Sequence, residues 1–102
     1  MKRTVVMLAA FAAMAFLAAA AQAAVKGEEV FKSRCAMCHS VKGKGGSLGP
    51  DLTKISSRLR ENDIRMKLEN PKKGNPSSMM PSFSTLSKDD MTGLLGYLKN
   101  LK

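Results

Sequence analysis

The sequence predicts an all-α domain of three to five helices. Three observations predict it. Apolar residues recur at helical spacing in stretches after residue 26, glycine and proline gather in the segments between them, and no run alternates polar with apolar residues as a half-buried strand requires.

The chain opens on a basic Met1-Lys2-Arg3, continues through an unbroken apolar run from Val5 to Ala20, and reaches Ala21-Gln22-Ala23, with small residues at the two positions a signal peptidase reads. This predicts a cleaved signal peptide over residues 1–23 and a mature chain over 24–102, exported to a bacterial periplasm. The alternative is an uncleaved membrane anchor, since the stretch from Thr4 to Val25 is about long enough to span a bilayer. The mature part is one small domain, of a size that buries little core and usually needs a metal or covalent cofactor as a staple.

Lys26 to Cys38 reads as the first helix, with Glu28 and Glu29 near its start, where the helix dipole favours negative charge. It runs into Cys35-Ala36-Met37-Cys38-His39, which contains both cysteines and the single histidine of the chain. The spacing is that of a c-type haem attachment site. Two thiols three positions apart can each add to one porphyrin vinyl group, and the next residue aims an imidazole at the iron. A thiol–disulfide site usually accompanies a βαβ pattern, which is absent here, and a closed zinc site wants four ligands, where two Cys and one His leave the fourth to a carboxylate or a second chain. A structural disulfide would leave His39 unexplained.

Residues 41–47 hold three glycines and two lysines and read as a loop. Gly49-Pro50 is a turn, after which Leu52, Ile55 and Leu59 fall at helical spacing. Asn62 is a candidate cap for a helix running to Asn70, with Ile64 and Leu68 on one face and Pro71 as its stop. Residues 72–82 form a second loop, containing Gly74, Pro76 and Pro81. Ser87 to Asp90 has the form of a capping box, and Met91, Leu94, Leu95, Leu98 and Leu101 draw an apolar stripe along the last helix.

The full chain carries +9 at neutral pH, and residues 24–102 carry 15 basic and 8 acidic side chains, a net +7. That excess suits acidic protein partners or plain solubility. Export and the lack of aromatic residues among the lysines argue against nucleic acid.

Several motifs in order resemble the small bacterial class I monohaem cytochromes c: Gly27 and Phe31 ahead of the cysteines, the Cys35–His39 run, Gly49-Pro50-Asp51-Leu52, Leu68-Glu69-Asn70-Pro71-Lys72-Lys73, Met80-Pro81 with Phe83, and Leu94 with Tyr97. The resemblance implies the cytochrome c fold, with helices around one covalently bound haem c and terminal helices crossing each other. Gly27, Gly93 and Gly96 fit that crossing, because a close contact offsets the roughly 1 kcal/mol that a glycine costs inside a helix. It also implies that His39 donates its second ring nitrogen to the Pro50 carbonyl. With no second histidine, the sixth iron position falls to a thioether, which raises the reduction potential. Met80, in the family's Met-Pro pair, is the first candidate and Met79 the second; Met37 lies in the attachment turn, and Met66 and Met91 lie in helices as core filler. There is no tryptophan to meet a haem propionate, and Ser56, Ser57, Arg58 and Arg60 stand open as substitutes.

The function implied is that of a single-electron carrier, not an enzyme, working by outer-sphere transfer at an exposed haem edge. Lys42, Lys44, Lys72 and Lys73 are candidates to orient it on redox protein partners. The alternatives are a haem enzyme or gas or redox sensor with a displaceable sixth ligand, and a subunit of a larger oxidoreductase.

Overall fold

The computed structural model describes residue 22 and residues 26–102. The expected signal peptide, residues 1–23, lies outside the described residues but for residue 22, as does the apolar run within it. No helix among the described residues is long and apolar enough to cross a membrane.

Helix α1 occupies residues 26–34 of the described chain. It ends one turn earlier than the apolar spacing suggests. The Phe31 carbonyl accepts from the amides of both Cys35 (2.8 Å) and Ala36 (2.9 Å), which widens the last turn and stops the ladder. The cysteines therefore sit on a separate turn, closed by bonds to the Cys35 carbonyl from Cys38 N (3.1 Å) and His39 N (2.9 Å).

The segment read as a plain loop contains a small antiparallel hairpin, β1 (Ser40–Val41) paired with β2 (Lys44–Gly45). Two residues are too few for alternation to show. The turn betrays itself instead by Lys42 at φ 52° and Gly43 at φ 80°, the paired positive angles of a tight hairpin.

Helix α2 (Ile55–Arg58) is one turn long and buries Ile55. Helix α3 (Glu61–Glu69) buries Ile64 and Leu68. Its cap is Arg60 rather than Asn62. Arginine has no acceptor atom, so the end is closed from the other side: the Asp63 carboxylate accepts from Arg60 N at 3.3 Å and Nε at 3.4 Å. Pro71 ends the helix as expected.

Helix α4 (Lys88–Lys99) buries Met91, Gly93, Leu94, Leu95 and Leu98, and Leu101 is buried just beyond its end. Ser87 Oγ accepts from Asp90 N at 3.1 Å. The reciprocal half of the box is replaced by an ion pair, since the Asp90 carboxylate meets Lys26 of α1 at 3.3 Å.

That pair marks the crossing of the terminal helices. A methyl group at Gly27 would overlap the Gly93 carbonyl oxygen and come within 2.6 Å of its carbonyl carbon and 3.0 Å of Tyr97 Cβ. The backbones thus touch at Gly27 and Gly93. Beside them the Phe31 and Tyr97 rings pack at 5.3 Å between centroids, tilted by 44°. Gly96 takes no part: it is exposed, with open space where a methyl would stand. Helices α2 and α3 both pack on α4. Ser56 fastens α2 to the end of α4 through Ser56 N to Leu101 O and Ser56 Oγ to Leu98 O, both 2.8 Å. The core joins Phe31, Cys35, Val41, Ile55, Ile64, Leu68 and Phe83 to the stripe of α4.

Candidate functional site

The attachment turn stands at the edge of this core. Cys35 is buried and Cys38 is half-buried. Burial pushes the Cys35 thiol up to about 11, against the pull of nearby Arg34. Among the described residues no group of three or more His, Cys, Asp or Glu side chains is placed to hold a metal ion.

His39 follows on the same turn, and its Nδ1 lies 2.8 Å from the Pro50 carbonyl oxygen. A carbonyl has no proton to give, so Nδ1 is the donor, and Nε2 keeps its lone pair for a metal. Gly49 clears the space for the ring. A methyl there would lie 2.5 Å from Cε1 and 2.7 Å from Nδ1 of His39. The Gly-Pro turn thus does two things: glycine admits the imidazole and proline's carbonyl orients it. Gly49→Ala is expected to tilt the ring off the Pro50 carbonyl and to lower the yield of haem-loaded protein several-fold, read as absorbance per mole of purified chain. Wild-type loading in that variant would show that the ring has room to yield.

Met80 belongs to a different segment. The loop between α3 and α4 is tied at its base, where Phe83 N reaches Leu68 O at 2.7 Å and Ser82 Oγ reaches Glu69 O at 2.6 Å. Within it, Ser78 Oγ accepts from Met80 N at 3.2 Å. Met80 is half-buried and packs on the core, whereas Met79 is 97% exposed. An extended chain, whose neighbouring side chains alternate in direction, accounts for that contrast. Met91 is core, as expected; Met66 is 41% exposed, because its face of α3 looks outward, so it is not core filler. Met37 is exposed on the attachment turn.

The donor set fits a covalently held haem. Cys35, Cys38 and His39 share one turn, Pro50 meets it through the His39 bond, and Met80 offers a soft thioether from a loop anchored to the core. The open propionate question narrows: Ser56 is spent on α4, and Arg58 Nη2 donates to the Asp51 carbonyl at 3.4 Å. A cleft of about 420 Å³ lies along α3, lined by Leu59, Asp63, Met66, Lys67, Asn70, Pro71, Lys73 and Gly74. It includes none of the attachment residues.

The sequence marks Asp51 only as part of a motif and does not single out its link to Ser40 and Thr53. Asp51 Oδ1 accepts from Thr53 N at 2.7 Å and Oδ2 from Ser40 Oγ at 2.9 Å. The side chain of Thr53, then those two bonds and nearby Arg58, hold its carboxyl below the usual range. The Asp-x-Thr spacing, typical of a turn closed by a side chain onto the second amide downstream, was the available signal.

The family model described as "Cytochrome c" matches residues 24–102. Similar proteins include a cytochrome c of Gossypium barbadense, 32% identical over 72% of this chain and 85% of that one. A cytochrome c6 of Cyanidium caldarium is 34% identical over 71% of this chain and 65% of that protein. The chain is also 32% identical, over 76% of its length, to a "Cytochrome c oxidase subunit 2" of Alkalihalophilus pseudofirmus, of which it spans only 25%.

Proposed function

This chain belongs to the cytochrome c family, whose members carry covalently attached haem c and serve as haem-based electron carriers, and from that premise we propose that it is an exported, periplasmic single-electron carrier with haem at Cys35 and Cys38 and His39 and Met80 as axial ligands. The observation that supports this most is the 2.8 Å bond between His39 Nδ1 and Pro50 O beside the two thiols, which leaves one ring nitrogen for iron. When bound, the haem supplies a one-electron couple. The residues do the rest. Cys35 and Cys38 would hold the group, Pro50 orients the imidazole of His39, and the anchored loop would present the Met80 thioether to the iron. The signal-like residues 1–23 support export, and the half-buried Met80 beside a fully exposed Met79 supports the choice of thioether.

Redox proteins are the partners of this family, and Lys42, Lys44, Lys72 and Lys73 are proposed to orient the protein on their acidic faces. All four are exposed, and none joins an ion pair among the described residues. The similarity to a quarter of an oxidase subunit supports, as the second reading, a domain that serves within a larger oxidoreductase.

Spectroelectrochemistry of the matured protein is the test. The expected result is one reversible one-electron wave with the thioether–iron absorption in the ferric form. Colourless exported protein, or turnover of a substrate at the iron, would end this reading. Docking has its own check. Oxidation by a partner is expected to slow several-fold as ionic strength rises from about 0.01 to 0.15 M, where the Debye length falls from roughly 30 to 8 Å. A flat dependence would remove the lysines from the account.

A further inference from the structure

We propose that Asp51 is a positioning residue for His39: its carboxylate fixes the peptide group that presents the Pro50 carbonyl to the imidazole. The proposal rests on the reading of His39 as the iron's ligand and goes beyond it by naming what holds that ligand's hydrogen bond.

Residues 38–42 and 49–53 run side by side in the same direction, joined at a constant offset. Gly49 N donates to Cys38 O at 2.6 Å, His39 Nδ1 to Pro50 O at 2.8 Å, Ser40 Oγ to Asp51 Oδ2 at 2.9 Å, and Lys42 N to Thr53 Oγ1 at 2.8 Å. Leu52 N adds a bond to Ser40 O at 2.8 Å. The backbone bonds from Gly49 and Leu52 set the register, but neither controls the peptide between Pro50 and Asp51. The tilt of that peptide depends on two rotations, ψ of Pro50 and φ of Asp51.

Asp51 constrains both. Its Oδ1 closes a turn onto Thr53 N at 2.7 Å, which restricts its own backbone, and its Oδ2 reaches across to Ser40, the residue after the ligand. A charged acceptor makes both bonds strong. The carboxylate is thus spent on both oxygens within the two strips that carry ligand and acceptor. When the peptide is free to tilt, the Nδ1–H···O bond weakens, the imidazole becomes a poorer donor to iron, and the ferrous state gains.

The test uses the exported, haem-loaded mature protein. Solvent exchange of the His39 Nδ1 proton is followed by NMR in the ferrous state, beside the amide of Leu94 as a monitor of global opening. Asp51→Ala is expected to speed Nδ1 exchange about tenfold at an unchanged Leu94 rate, and to raise the reduction potential. Asp51→Asn keeps an acceptor for Thr53 N and a polar partner for Ser40, and is expected to exchange within about threefold of wild type. Unchanged exchange in Asp51→Ala, or an equal rise at Leu94, overturns the proposal. If Asp51→Ala fails to mature, Ser40→Ala, which removes one of the two anchors, decides by the same comparison. A wild-type protein without an iron-bound imidazole overturns both this role and the ligand assignment. An intact wild-type signature with an unaffected Asp51→Ala overturns this role alone.

Discussion

Gly27→Ala is expected to destabilise the folded protein by about 3 kcal/mol, whereas Gly96→Ala is expected to stabilise it by about 0.5–1 kcal/mol. Both replace a helical glycine by the best helix former, so intrinsic propensity pushes both the same way. Packing separates them. At Gly27 the new methyl falls on the Gly93 carbonyl, a backbone group that cannot rotate aside, so α1 must move away from α4. That movement unpacks Phe31 from Tyr97 and stretches the Lys26–Asp90 pair, so the loss exceeds the contact itself. At Gly96 a methyl meets open space, and the gain comes from a less flexible unfolded chain. A domain of this size holds only about 5–10 kcal/mol in all, so the first change removes a large part of it. Denaturant midpoints of the haem-loaded variants, at constant m-value, check the pair. Midpoints that move in the same direction would show that the helices do not meet backbone to backbone.

These two glycines also mark the boundary of what could be read in the sequence. A glycine in a helix is ambiguous, because its meaning lies in what stands opposite. The expectation that Gly27 and Gly93 approach holds; extending it to Gly96 fails, since three helical steps of about 100° leave that residue about 60° around the helix from Gly93, on the exposed side. Local signals fared similarly. Ser87 capped its helix as expected, because the serine hydroxyl needs only its own next turn. The end of α1 left no mark, because residues 26–38 contain no proline and no glycine beyond Gly27; the stop arises from Phe31 O taking two donors. Arg60 as a cap was invisible for a related reason: an arginine closes nothing itself, and the Asp63 behind it does the closing. For the site, residue types and spacing singled out Cys35, Cys38 and His39, and the resemblance to the family added Pro50. The supporting strip was hidden, because Ser40, Asp51 and Thr53 are ordinary surface residues until the chain lays residues 49–53 along 38–42.

Met80→Ala should remove the ferric thioether–iron absorption, while Met79→Ala should leave it intact. The two side chains are equal in chemistry and adjacent in sequence, so only their placement can divide them. Ser78 Oγ holds the Met80 amide, Pro81 keeps Met80 extended, and the bonds from Ser82 and Phe83 to the end of α3 pin the loop's return. An extended chain fixed on both sides sends one methionine inward and the next outward, which is the observed contrast between a half-buried Met80 and a 97% exposed Met79. A thioether favours the ferrous state over a water or hydroxide in its place, so Met80→Ala should also lower the reduction potential. The expected drop is on the order of 100 mV or more, within the roughly 0.8 V range over which axial ligands act. The same variant should bind added imidazole or cyanide at once, since the sixth position no longer has an occupant to displace. Absorbance and potential of the two variants beside wild type decide the matter. An intact band in Met80→Ala with a lost one in Met79→Ala would mean that the loop turns over by one residue when haem is bound, against the register that Ser78 and Pro81 impose.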